Sequence, residues 1–170
     1  MKTASRIVLS LLLVGLVLIA SVSSAQANKR VYKALLASTN ELHPVVDSTA
    51  KGSAVLTIQP DGSVRFLISV RGLSSDPVGG HFHGPATASE NAPVIGTICG
   101  SGPNWGFYST CTRNADGLLI LEGVIDGGVL YRWGLTGRQF MEWLDGGLLY
   151  INFHTTLNPL GETRGQILPR

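Results

Sequence analysis

Residues 52–70 constrain the fold more tightly than any other stretch of this chain. Residues 52–59 set Ala54, Leu56 and Ile58 against Ser53, Val55 and Thr57. Residues 63–70 set Val64, Phe66, Ile68 and Val70 against Arg65, Leu67 and Ser69, with Pro60-Asp61-Gly62 between the two runs. Alternation with period two sends one set of side chains to each face of a strand. Pro-Asp-Gly is a tight-turn sequence, with glycine at a position that tolerates positive φ. The stretch therefore predicts a β-hairpin. Comparable short runs occupy 31–36, 79–83, 93–98, 118–125, 148–155 and 163–168, broken by Gly, Asp, Asn and Pro. One helix is legible. Thr136 and Gln139 form a capping box, Phe140, Met141 and Leu144 give an apolar stripe, and Gly146 can end it. The expected class is all-β, an antiparallel β-sandwich or flattened Greek-key barrel of about 7–9 strands with one short helix.

The first residues follow a different logic. Lys2 and Arg6 precede an almost wholly apolar run, residues 7–20, and Ala25-Gln26-Ala27 supplies the small residues that a signal peptidase reads. Residues 1–27 are expected to be a signal peptide, cut after Ala27. The apolar run falls short of the roughly 20 residues that span a bilayer, so no membrane span is expected after cleavage. The chain has 13 Lys and Arg against 11 Asp and Glu. Lys2 and Arg6 leave with the signal, so residues 28–170 balance at 11 against 11. No basic stripe survives to meet a nucleic acid.

Residues 28–170 suit a single domain. Cys99 and Cys111 are the only cysteines. An even pair in an exported chain reads as a disulfide. It would staple the irregular stretch 100–110, whose Trp105, Phe107 and Tyr108 are either a binding surface or a local core.

Three of the four histidines fall in two strand-like segments, His81 and His83 in one and His154 in the other. Alternation puts Phe82 on the face opposite His81 and His83, and Phe153 opposite His154. The phenylalanines belong to the core and the imidazoles to the other face. Two readings follow. In one, His81, His83 and His154 bind Cu or Zn, with Asn152, Glu162 and Arg164 as candidates for orienting them. In the other, the imidazoles hydrogen-bond across strands and fix register. Glu162 and Arg164, two apart, are expected to pair with each other or with a neighbour. No Gly-x-Ser-x-Gly elbow, phosphate loop or dinucleotide fingerprint is present. No catalytic residue is assigned. A redox enzyme at a histidine site is the weaker alternative, because the remaining ligands of a copper–zinc dismutase have no counterparts.

Several segments together resemble the CHRD domain, a module named from chordin. They are Tyr32-Lys33-Ala34-Leu35-Leu36, Asn40-Glu41-Leu42-His43-Pro44-Val45, Gly52-Ser53-Ala54 and Gly72-Leu73. The hallmarks are His81-Phe82-His83-Gly84-Pro85-Ala86, residues 147–155, and Gly161-Glu162-Thr163-Arg164-Gly165-Gln166. His43 stands where the family usually has a proline, and the cysteine loop is not a feature associated with the family. The resemblance implies an all-β domain over 28–170 and a secreted, periplasmic or cell-surface place. It implies little about activity. Taken with the signal peptide and the absence of a catalytic constellation, the expectation is a non-enzymatic binding or structural module, with an extracellular protein or cell-surface component as its partner.

Overall fold

The computed structural model describes residues 30–170, so the expected signal peptide, residues 1–27, lies outside the described residues. Nine strands run in the order β1 (Val31–Ala37), β2 (Lys51–Ile58), β3 (Val64–Arg71), β4 (Pro77–His83), β5 (Val94–Gly100), β6 (Gly106–Tyr108), β7 (Leu119–Ile125), β8 (Leu149–Thr155) and β9 (Thr163–Pro169). Two helices, α1 (Gly127–Arg132) and α2 (Gly137–Asp145), lie between β7 and β8. The strands form one sheet in the order β6-β5-β4-β8-β9-β1-β2-β3-β7. Every pairing is antiparallel except β5 with β6.

The predicted hairpin is present, with Lys51↔Arg71 through Ile58↔Val64 in unbroken register. Its apolar set, Ala54, Leu56, Val64, Phe66, Ile68 and Val70, is buried. The sheet rolls up around these side chains. Phe66 of β3 meets Phe82 of β4 edge-to-face with ring centroids 5.5 Å apart, although four strands lie between them in the sheet order. The two outer strands also approach each other. Phe107 of β6 packs edge-to-face on Phe66 at 4.9 Å, and the Tyr108 hydroxyl donates to the carbonyl of Glu122 on β7 at 2.9 Å. The result is a flattened, nearly closed barrel, of the class expected.

The cysteine loop is less irregular than its composition implies. Cys99 and Cys111 form the expected disulfide, with Cα atoms 5.1 Å apart. The loop contributes β6, and Trp105 and Phe107 stack toward Trp133. The Trp133 indole N–H donates to the Trp105 carbonyl at 2.9 Å. Phe107 and Trp133 extend the main core, while Trp105 and Tyr108 stay partly exposed at the surface.

Helix α2 starts at the Thr136–Gln139 capping box and buries Phe140 and Leu144. Helix α1 is additional to the one helix expected and begins at Gly127-Gly128, a pair that favours a turn. Asp126 makes the difference, because its carboxylate accepts from the Val129 N–H and starts a helix that the Gly-Gly pair alone would disfavour. No helix among the described residues is long and apolar enough to cross a membrane.

Gly96 on β5 marks where a helix-borne side chain meets the sheet. A Cβ there would lie 2.2 Å from the Trp133 ring. Gly96→Ala is expected to destabilise the domain by about 1–3 kcal/mol through overpacking, measured by urea unfolding. Replacing both cysteines with serine is expected to cost about 3 kcal/mol in the same assay, as expected for freeing a loop of this length in the unfolded chain. An unchanged midpoint in either variant would contradict the packing described.

Candidate metal pocket

Strands β4 and β8 lie side by side, with Gly79↔His154, His81↔Asn152 and His83↔Tyr150 as partners. On the inner face Phe82 and Phe153 are fully buried in the core. The outer face carries the three histidines, as alternation requires. That face is not open to solvent: His81 and His83 are each 7% exposed. Three loops cover them. The cysteine loop lies on His81, the loop between β4 and β5 on His83, and the loop between β8 and β9 on His154.

Glycine at 79 lets the rings converge. It sits opposite His154, and a Cβ there would lie 3.1 Å from the His81 ring. The ring centroids of His81 and His154 are 4.9 Å apart, and those of His81 and His83 are 5.7 Å apart. One nitrogen from each histidine can be chosen so that all three lie within 4.8 Å of one another.

Backbone carbonyls orient each ring. His81 Nε2 is 2.8 Å from the Ser101 oxygen, His83 Nδ1 is 2.8 Å from the Ala92 oxygen, and His154 Nδ1 is 3.0 Å from the Pro159 oxygen. A carbonyl only accepts, so each of these nitrogens donates. The opposite nitrogens of His81 (Nδ1) and His154 (Nε2) are buried and have no hydrogen-bond partner. Burial is the main cause of depressed basicity in all three rings, and it pulls His83 and His154 down to about 4. The imidazoles are therefore neutral at pH 7. His83 also stacks on Tyr150 at 4.6 Å, nearly parallel.

Asn152, Glu162 and Arg164 have separate roles. Asn152 touches the cluster, its amide oxygen 2.9 Å from His83 Nε2, so this nitrogen, unlike those of His81 and His154, has a partner. Glu162 and Arg164 do not pair with each other, because each is saturated elsewhere. Glu162 accepts from the Ser48 hydroxyl (2.6 Å), the Ser74 N–H (2.6 Å) and hydroxyl (2.9 Å), and the Thr155 hydroxyl (2.5 Å). Burial pushes its carboxyl up, but these donors outweigh it and hold the group below the usual carboxylate range. Arg164 is 2% exposed and lies over the Tyr150 ring at 3.6 Å. Its guanidinium donates to Asn91 Oδ1 and to the carbonyls of Thr87 and Glu90, fastening the β4–β5 loop whose Ala92 orients His83.

Glu41 escaped the reading of the sequence. It follows the 3-10 turn Ser38–Asn40, and its side chain is only 3% exposed. Its Oε1 has no partner. Burial raises its carboxyl to about 7, against the opposing pull of His43, Arg164 and the Asn152 amide. A loop has no periodicity from which such burial could be read.

The pH dependence of stability follows from these groups, with opposite signs. A carboxyl held high in the fold destabilises it as pH rises from the ordinary carboxylate range through about 7. Imidazoles held near 4 destabilise the fold as pH falls from about 6.5 toward 4. Glu41→Gln removes only the first effect. Between pH 4 and pH 8 the variant should gain about 3 kcal/mol relative to wild type in urea unfolding. A pH-independent difference would show that Glu41 titrates normally in the fold.

The CHRD domain model matches residues 32–167. No curated protein and no solved structure matches the chain. The matched span runs from the second residue of β1 to within three residues of the chain's last, and it includes every residue of the pocket. This chain belongs to the CHRD domain family.

Proposed function

We propose that this protein is a non-enzymatic CHRD module, exported from the cytoplasm, whose three-histidine pocket holds one Zn or Cu ion. The observation that carries the metal reading is the pair of buried, unpartnered nitrogens on His81 and His154. A buried polar atom without a partner costs about 1–3 kcal/mol, and a cation shared by two such lone pairs removes that cost. Three further features support the reading. The rings are neutral, which is the ligating form. Backbone carbonyls fix their opposite nitrogens, as is usual for metal-bound imidazole. Three neutral nitrogen donors suit Zn and Cu and leave a further position for water or a partner group. Metal–nitrogen bonds of about 2 Å require the rings to close in by about 1 Å from their present spacing.

Export is supported by the disulfide and by the family. The family also supports a non-enzymatic role, and the partner proposed for such an exported module is an extracellular or cell-surface protein.

Untagged protein stripped of metal should take up one equivalent of Zn or Cu in calorimetry, with matching elemental analysis. His154→Ala, at the least buried of the three rings, should weaken uptake at least 100-fold while the circular dichroism spectrum is retained. No stoichiometric metal in wild type, or unchanged uptake after substituting all three histidines, would overturn the assignment.

A further inference from the structure

The outer face of β1 and β9 carries a groove of about 730 Å³. Tyr150 and Asn152 of β8 pair with Gln166 and Arg164 of β9, so this face continues the one that carries the histidines. Alternation makes its floor. Lys33 and Leu35 on β1 and Leu168 on β9 point outward, while Tyr32, Ala34 and Ile167 are buried in the core. Two loops wall it, one bringing Leu42 and the other Ala88. Side-chain amides tie these walls to the floor. The Gln166 NH2 donates to the carbonyls of Ala86 at 2.8 Å and Gly147 at 2.7 Å. The Asn40 NH2 donates to those of Leu35 at 3.1 Å and Arg164 at 3.0 Å. The groove is therefore held open by fixed bonds.

The lining selects an occupant. Most of its surface is apolar, and among the described residues no aromatic ring and no Asp or Glu lines it. Leu35 is 75% exposed, an unusual state for a leucine on a sheet face. At one end stand Lys33 and Arg170, both exposed and neither in a salt bridge among the described residues. An apolar trough with a cationic end complements an amphiphilic anion. An extended peptide suits it poorly. β1 is paired on both sides, with β2 and β9, and β9 is paired with β1 and β8. Such a peptide would find no strand edge and would bury its own N–H and C=O groups against leucines. A two-fold contact between copies of this chain would gather the cationic ends of two grooves on one patch. An acyl chain has no polar groups to satisfy along its length. The volume falls within the roughly 300–1,000 Å³ of small-molecule sites.

We propose that this groove binds one free long-chain carboxylate, its acyl chain lying over Leu35, Leu42 and Leu168 and its carboxylate meeting Lys33 and Arg170. The site is separate from the histidine pocket and does not rest on the metal reading.

The test is calorimetric titration of the untagged protein with octanoate, laurate and myristate, each kept below its micellar concentration. One equivalent should bind, tightening roughly two- to fourfold for each added CH2, with about fourfold the limit for full burial. Dodecyltrimethylammonium, a similar chain with the opposite charge, should bind roughly tenfold more weakly than laurate. Lys33→Glu and Leu35→Asp alter exposed side chains, so the fold should persist while each weakens laurate binding roughly tenfold. Leu67→Asp, at an exposed position of β3 outside the groove, should leave binding unchanged. Failure of laurate and myristate to bind, equal affinity for the cationic amphiphile, or binding indifferent to Lys33→Glu and Leu35→Asp would overturn the proposal. It would equally be overturned if free laurate were not taken up while Leu35→Asp abolished binding of an acidic amphipathic peptide, binding of phosphatidylglycerol vesicles, or self-association of the chain in sedimentation.

Discussion

The pairing of β4 with β8 is the constraint on which the rest of this structure depends. Both strands are buried on both faces, which is unusual for an antiparallel sheet and demands that each face be covered. The inner face is covered by the opposing half of the barrel. The outer face has to be covered by loops, and loops bring backbone carbonyls with no ladder partner. The imidazoles solve that problem. Each gives one N–H to a carbonyl of a covering loop, so the loops are satisfied and the rings are oriented in one stroke. The histidine cluster is thus a product of covering a sheet face with irregular backbone.

Charged groups follow the same rule. Glu162 gathers four donors from the β1–β2 loop, the β3–β4 connection and the end of β8. Arg164 performs the complementary task for the β4–β5 loop, donating to its carbonyls. The two residues are neighbours in sequence and buried together, yet they act as separate clamps on different loops. A buried ion satisfied by fixed dipoles has no need of an opposite charge, and the loops it holds gain definition.

The sheet was legible because burial and period two coincide. The hairpin of residues 52–70, the core phenylalanines and the outward histidines all follow from alternation, and helix α2 from its capping box. What alternation cannot report is what covers the far face. It put His81, His83 and His154 on one side of their strands and was silent about the loops above them. It also missed Glu41 and the short strand β6, because neither belongs to a periodic run. Helix α1 was obscured by Gly127-Gly128, a pair that argues for a turn until the Asp126 cap is weighed against it. Of the partners expected for Glu162 and Arg164, each other or a neighbour, alternation could not choose, since the groups that hold them come from distant loops.

The disulfide reaches the histidine pocket through the loop it closes. Ser101, whose carbonyl orients His81, lies two residues after Cys99, inside the loop that Cys111 closes. Gly102, next along, lies so close on the His81 ring that a Cβ there would come within 2.4 Å of Nε2. This wall of the pocket is pinned a second time, because the Ser101 N–H donates to the Val78 carbonyl at 3.0 Å and the Thr97 hydroxyl to the Pro103 carbonyl at 2.6 Å. The tautomer of His81 is thus held by a loop tied down twice, once covalently and once through the edge of the sheet.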